Sequence, residues 1–144
     1  MSFDLEFNRA LTSLGLSLNN IGGMSWVNKG KLQGTTFKQG DTVQYNGQEC
    51  MVLVGGDRLK VQNISGVVAL AEALKVNRAL NTINLLHNDL GDDGLAHIAT
   101  AWERSSTLNS LCGIAAGVTT ANLSQYGLGE ADAQIVALEL RFNR

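Results

Sequence analysis

Residues 80–102 change from an alternating pattern to a helical one, and the rest of the chain can be read around that change. Leu80, Ile83, Leu85, Asn88 and Leu90 set the frame. Ile83 and Leu85 alternate with Thr82, Asn84 and Leu86, so a short strand sends the first pair inward and the second set to an outer face. Asn88 falls where the chain must leave the strand, and its amide can bond the backbone of a buried bend. Gly91-Asp92-Asp93 follows as an acidic helix start, where either Asp can cap the first free amides. Leu95, Ile98, Ala99 and Trp102 then line one helical face. A lone unit of this kind cannot bury that face and needs neighbours on both sides.

The same spacing occurs earlier, at Leu11, Leu14, Leu16, Asn19 and Ile21, but no helix follows it directly. The next stretch is Gly-rich and alternating. Val43, Tyr45, Val52, Val54, Leu59 and Val61 predict one apolar face of three strands, with turns at Asn46-Gly47 and Gly55-Gly56-Asp57. The missing helix comes afterwards, over 65–77, with Ser65 as cap and Val67, Leu70, Ala71 and Leu74 as its buried stripe. One strand-helix unit is thus interrupted by a β module. The module's ends, Gly22-Gly23 and Asn63 to Ser65, are expected to lie together. In the last third Leu108, Leu111 and Ile114 begin a further strand, and Val118, Ala121, Leu123, Tyr126 and Leu128 restart the frame with Tyr126 in place of asparagine. A parallel crossover needs about a dozen residues or more, so Ala115 to Gly117 reads as the turn of an antiparallel pair. A helix from Gly129 closes the chain, with Ala131, Ile135 and Leu138 inward.

The frame LxxLxLxxNxL at 80–90 and again at 11–21, with the junction AEALKVNRALNTINL, resembles a leucine-rich repeat of the ribonuclease-inhibitor type. The resemblance covers residues 8–22 and 65 to about 112, and none of the insert. It implies an α/β fold: a short stack of strand-helix units carrying an inserted three-stranded module. Gly40-Asp41-Thr42-Val43 at the start of that module resembles the opening of small SH3-like barrels. The organisation is then residues 1–23 as the first repeat strand, 24–63 as the inserted β module, and 64–144 as the units that complete the same domain. Repeats of this type are binding scaffolds, so the resemblance implies an interaction or structural module with its partner left open.

Composition narrows the classes. The chain has 144 residues, 44% of them hydrophobic, which is enough for one domain with a real core. A net charge of -2 speaks against a strongly basic nucleic-acid binder, and the absence of a long apolar run against a membrane span. The segment MSFDLEFNRA has no signal-peptide core, and Cys50 and Cys112 follow no metal spacing; both features predict a cytoplasmic protein with reduced thiols. Leu5-Glu-Phe7-Asn8-Arg9 is echoed by Leu140-Arg-Phe142-Asn143-Arg144, as in one module of a longer array or by coincidence. No polar capping unit is evident. The first strand around Leu14 and Leu16 and the last helix around Ile135 and Leu138 are therefore expected to be covered by a second copy, most simply in a two-fold homodimer.

Catalytic chemistry finds little support. Asp93 and His97 share a helix face at metal or acid-base spacing, but an acid at a helix start is ordinary and His97 reads as a surface residue. Gly127-Leu128-Gly129 lacks the third glycine and the preceding strand of a dinucleotide site, and Cys112 sits in no nucleophile motif. No metal or cofactor is predicted. Binding is the better class, and two surfaces compete for it. The outer strand face is expected to carry Ser13, Gly15, Ser17, Thr82, Asn84, Leu86, Ser110, Cys112, Thr120, Asn122 and Ser124, a polar and nearly uncharged set suited to a protein partner. The insert instead offers Lys29, Lys31, Lys38, Arg58 and Lys60 with Trp26, Phe37 and Tyr45 interleaved, a combination suited to single-stranded nucleic acid or an acidic peptide. The plainer reading, in which the aromatics form core and the lysines solubilise a small sheet, is favoured over that alternative.

Overall fold

The structure is a computed structural model that describes residues 10–28, 32, 37–54 and 58–142. Among these residues the chain is mixed α/β, with three helices and two sheets. β1 (Ser13–Gly15) pairs in parallel with β6 (Thr82–Asn84), Leu14 opposite Ile83. Between them lie a four-stranded antiparallel sheet and helix α1 (Ser65–Val76). The sheet runs in the order β2 (Met24–Asn28), β5 (Arg58–Gln62), β4 (Gln48–Val54), β3 (Thr42–Tyr45). Helices α2 (Gly91–Arg104) and α3 (Glu130–Phe142) follow β6. Among the described residues no helix is long and apolar enough to cross a membrane.

Two cores form. The larger gathers Val67, Ala71 and Leu74 of α1, Ile83 and Leu85 at β6, Ile98 and Trp102 of α2, and Ile135 and Leu138 of α3. The smaller lies inside the four-stranded sheet around Val27, Val43, Val52, Leu59 and Val61. As expected, Asn46-Gly47 turns β3 into β4; both residues have positive φ, the geometry that a two-residue hairpin of this type requires. β2 is a strand that the hydrophobic pattern does not announce. Met24–Asn28 is short and mixed, and it becomes a strand because Val27 packs opposite Leu59 in the small core. The expected turn at Gly55-Gly56-Asp57 lies outside the described residues, as do Lys29, Lys31, residues 1–9, Asn143 and Arg144.

The insert's ends meet. The Asn63 amide donates to the Gly23 carbonyl at 3.2 Å. A Cβ on Gly23 would stand 2.0 Å from the Asn63 oxygen, and one on Gly22 only 1.9 Å from that of Asp89. Gln62 reaches from β5 into the turn region, its Nε2 donating to the carbonyls of Gly22 at 2.9 Å and Leu90 at 2.6 Å. The module therefore rests on the turn after β6.

That turn recurs. Leu18 and Asn20 have positive φ (62° and 48°), as do His87 and Asp89 (62° and 41°) and Gln125 and Gly127 (67° and 62°). Left-handed backbone is uncommon outside glycine, so three pairs at equivalent frame positions mark one local conformation used three times. Asn88 fixes the central one. Its Oδ1 accepts the amides of Asn19 at 3.0 Å and Ile21 at 3.2 Å, and its Nδ2 donates to the carbonyls of Leu16, Leu85 and Leu86.

Several expectations need correction. Leu86 is buried, not outward, because β6 ends at Asn84, whose Oδ1 accepts the Leu86 amide at 3.1 Å and ends the alternation. Thr82, Ser110 and Cys112 are buried as well. Ser110 Oγ accepts the amides of Cys112 and Ile114, which folds the chain back so that Gly113 lies against Asn84. Residues 118–128 form no strand: a turn does join Ala115 to Val118, but the stretch beyond it is largely exposed. Helix α1 is preceded not by a Ser65 side-chain cap but by Asn63, whose Oδ1 accepts the Ser65 amide and hydroxyl. Asp92 and Asp93 lie in the first turn of α2 without a side-chain capping bond there. On α3, Asp132 and Glu139 share the buried face with Ile135 and Leu138, while Ala131 is half-buried. Ile135 and Leu138 are thus covered within one chain.

Candidate functional site

The outer strand face can be followed row by row. Ser13 stands opposite Thr82, and Thr82 bridges to Ser110; Gly15 stands opposite Asn84, and Asn84 bridges to Cys112. The rows exist, but they do not form an open surface. Only Ser13 and Gly15 of them are exposed, Asn84 and Ser17 are half-buried, and Thr82, Leu86, Ser110 and Cys112 are closed off. Thr120, Asn122 and Ser124 are exposed on the loop before α3, where Asn122 Oδ1 accepts the Ser124 amide, and so do not extend the rows.

The insert keeps an open face. Strand pairing puts Met24 opposite Gln62, Trp26 opposite Lys60 and Asn28 opposite Arg58 on the side away from the small core, with Met51 in the row of Gln62. One end of that face is covered where Gln62 enters the turn; at the other, Asn28 and Arg58 are exposed. Trp26 is 56% exposed and Met51 41%. The Arg58 guanidinium lies 5.8 Å from the centre of the Trp26 ring, within the range of a cation–π contact worth about 0.5–1 kcal/mol at exposed sites. Lys60 Nζ is 3.1 Å from Asp89 Oδ2, so part of this positive charge is already neutralised. Of the basic-aromatic set, then, Trp26, Arg58 and Lys60 come together. Tyr45 packs on the small core with Phe37, and Lys38 sits in the turn before β3, its amide bonded to Asp41 Oδ2; both lie toward the other side of the sheet.

Sequence reasoning missed a second constellation. His87, in the central turn, donates its amide to Asp132 Oδ1, and its Nδ1 lies 3.4 Å from Asp132 Oδ2, which also accepts the Gly129 amide. This pair borders a groove of about 660 Å³ between Met24, Lys60, Asp89, Asp92, Glu130 and Gln134. Seven residues further along α3, Glu139 Oε2 accepts the amides of Leu111 at 2.7 Å and Cys112 at 3.2 Å. Two buried acids two helical turns apart, on a face that is otherwise Ile135 and Leu138, were the available signal. Burial, with the Glu139 and Asp132 carboxylates adding to it, pushes the Cys112 thiol up to about 12. Burial likewise raises Cys50.

His87 and Asp132 tie α3 to the turn. Asp93 and His97 remain on α2, the first exposed and the second half-buried. Among the described residues no cluster of three or more His, Cys, Asp or Glu is arranged to hold a metal ion. Compared with protein-family models, curated proteins and solved structures, the chain finds no match.

Proposed function

We propose that the chain is a non-enzymatic interaction module, a short leucine-rich-repeat stack of the ribonuclease-inhibitor type with an SH3-like β insert, and that its partner contact lies on the insert. Support for the stack comes from the recurring turn and from the parallel pairing of β1 with β6. The contact surface is argued from one observation above all: Trp26 is exposed on an edge strand, with Arg58 over its ring and Met51 on the same face. Trp, Arg and Met are enriched in protein interfaces, and Trp and Arg dominate their energetics. An edge strand also offers unpaired backbone groups to an extended segment. Peptide display with wild-type protein as bait and Trp26→Ala as counter-bait tests this. Peptides that prefer wild type at least about tenfold, a difference of about 1.4 kcal/mol, are expected; binders indifferent to Trp26 would overturn the surface assignment.

A second reading, single-stranded nucleic acid stacked on Trp26, draws on Arg58 and Lys60 beside it. The Lys60–Asp89 pair weighs against it. A labelled oligothymidine that binds with an affinity falling steeply as salt rises would favour nucleic acid; no binding at low salt would exclude it. Self-association belongs to the proposal too, most simply as a two-fold dimer. The strand β1 lies at the edge of its sheet, and Leu11 and Leu18 beside it are exposed. Sedimentation over a range of concentrations tests it, and a monomer persisting at high micromolar concentration would refute it.

A further inference from the structure

β2 is an edge strand, and its register decides which backbone groups it offers. The Asn63 amide bonds the Gly23 carbonyl, so Gly23 and Asn63 form a hydrogen-bonded pair that continues the β2–β5 register. In an antiparallel ladder such pairs alternate with pairs that are not bonded to each other. Ser25 and Val27 therefore turn their backbone groups toward Val61 and Leu59 of β5, whereas Met24, Trp26 and Asn28 turn theirs out of the sheet. Two contacts agree with this phase. Asn20 Nδ2 donates to the outward Met24 carbonyl at 3.2 Å. Across the sheet, the Val52 amide and carbonyl bond Asp41 and Gly40, which leaves the Val52–Val61 pair unbonded and Val61 directed at β2.

Among the described residues no strand lies beyond β2, so its open stretch is Trp26 and Asn28, bounded at the Met24 end by Asn20. Backbone direction and side-chain direction alternate together along a strand, and these two residues also carry their side chains on the exposed face. Arg58 stands opposite Asn28, and its guanidinium lies over the Trp26 ring, drawn from β5 toward the edge. Among the described residues no carboxylate pairs with it, while Lys60 is engaged with Asp89. A guanidinium stacked by its face keeps its N–H edge for a carboxylate.

We infer that this edge takes an extended acidic peptide segment, which adds beside β2 as a new strand, bonds the backbone of Trp26 and Asn28, and sets a carboxylate on Arg58. The inference rests on the Trp26 surface proposed above and names the kind of partner it accepts. The incoming residue opposite Trp26 packs on its ring. The next one on the same face stands opposite Asn28, two strand spacings or about 10 Å from the Arg58 backbone, a gap that a Glu and the Arg58 side chain close above the shorter Asn28.

The probe is the fluorescein-labelled heptapeptide Ser-Glu-Thr-Tyr-Thr-Glu-Ser, which reads the same in both directions, so either strand direction sets Tyr against Trp26 and a Glu against Asn28. Binding to the whole chain, followed by anisotropy, is expected to saturate below about 1 mM, with NMR shifts at the Trp26 and Asn28 amides. Methylating the Tyr nitrogen, which faces β2, is expected to weaken binding at least about tenfold; methylating a Thr nitrogen, which faces away, is expected to leave it nearly unchanged. Replacing both Glu by Lys is expected to abolish binding, and Arg58→Glu, at an exposed position, to reverse the preference between the two peptides. No saturation by about 1 mM, equal binding of the two charge forms, or indifference to the Tyr methyl group would overturn strand addition while leaving the Trp26 surface in place. Undiminished binding to Trp26→Ala would overturn that surface and the inference with it. Shifts at Trp26 and Asn28 that appear on concentrating the chain without peptide would place a second copy on the edge, and would likewise overturn the inference.

Discussion

Replacing Asn88 by Ala removes one side chain on which two segments of the chain depend. Asn88 is 1% exposed, and its amide is fully engaged: Oδ1 accepts the amides of Asn19 and Ile21, and the two hydrogens of Nδ2 are shared among the carbonyls of Leu16, Leu85 and Leu86. At about 0.5–1.5 kcal/mol net apiece, the four hydrogen-bonding positions so used would sum to roughly 2–6 kcal/mol. Part of that is recovered, because Asn19 is exposed and its amide can turn to water. The Leu85 and Leu86 carbonyls belong to buried residues and have less access to solvent. The expected cost is therefore about 2–4 kcal/mol, in the lower half of the sum. In a chain of this size that lowers Tm by about 5–15 °C.

Urea denaturation followed by circular dichroism measures it, with an unchanged slope showing that the same amount of structure unfolds. Asn19→Ala is the control. Among the described residues the Asn19 side chain bonds the nearby carbonyls of Leu16 and Ser17, in an exposed setting, so its loss is expected to cost less than about 1 kcal/mol. Asn88→Asp sharpens the test: it keeps the acceptor for Asn19 and Ile21 but brings a carboxylate against three carbonyl oxygens, and it too must destabilise. If Asn88→Ala came within about 0.5 kcal/mol of Asn19→Ala, the view of Asn88 as the clasp of the turn would be refuted.

The same geometry fixes four further outcomes. Leu85→Ala and Leu86→Ala are both expected to cost about 2–5 kcal/mol in denaturant melts, since both side chains are buried; a small effect at Leu86 would restore the outward orientation suggested by simple alternation. Gly22→Ala forces a Cβ to within 1.9 Å of the Asp89 oxygen and is expected to unfold or grossly destabilise the chain, whereas Gly15→Ala meets nothing within 4 Å and is expected to be mild; similar melts for the two would contradict the close approach. Cys112 is held protonated in the fold, so its contribution is complete below the ordinary thiol range and declines as pH rises from about 8.5 toward about 12; the stability difference between wild type and Cys112→Ala should shrink over that window, and a difference that grew would reverse the sign. Replacing residues 25–61 by a short Gly/Ser linker, with Gln62 retained, is expected to leave the larger core folded by circular dichroism, because Gly23 and Asn63 already touch and closure depends weakly on length; an unfolded product would make the β module integral.

Periodicity carries the sequence reading far where one side-chain period meets one surface. The helices over 65–76 and 91–104 are amphipathic toward a single core, and the observed bounds lie close to the expected ones. Asn46-Gly47 demands a tight hairpin and forms one. The reading fails where a period ends early. Leu86 follows Leu85 after a strand only three residues long, so the turn, not the pleat, aims it. Alternation assigns Ser110 and Cys112 to an outer face that the chain itself covers at Gly113, a fold-back that depends on Ser110 Oγ and on no hydrophobic pattern. The sequence groups Trp26 with five basic residues and two other aromatics, but only the strand register shows that Arg58 and Lys60 join it and that Tyr45 and Lys38 do not.

The last helix shows why a capping element can escape notice. A polar cap reads as a stretch of polar sequence, whereas α3 is apolar enough to pack Ile135 and Leu138 into the larger core. Its capping chemistry is confined to two side chains on that same face. Asp132 takes the His87 amide and Glu139 takes those of Leu111 and Cys112, backbone donors that another strand or turn would otherwise have to satisfy. Buried acids at helix positions seven apart normally count against burial of that face, so the pattern argues for the wrong orientation until the amides opposite them are seen. This arrangement constrains assembly. A second copy that took the place of α3 on the larger core would have to displace both clasps and expose two buried acids. Association is therefore expected at β1 or at the Trp26 face. Ser13→Pro places a ring on an edge strand, and Trp26→Ala removes the exposed aromatic; a dimer that survived both substitutions and was lost with Glu139→Gln would show that the α3 end is the interface after all.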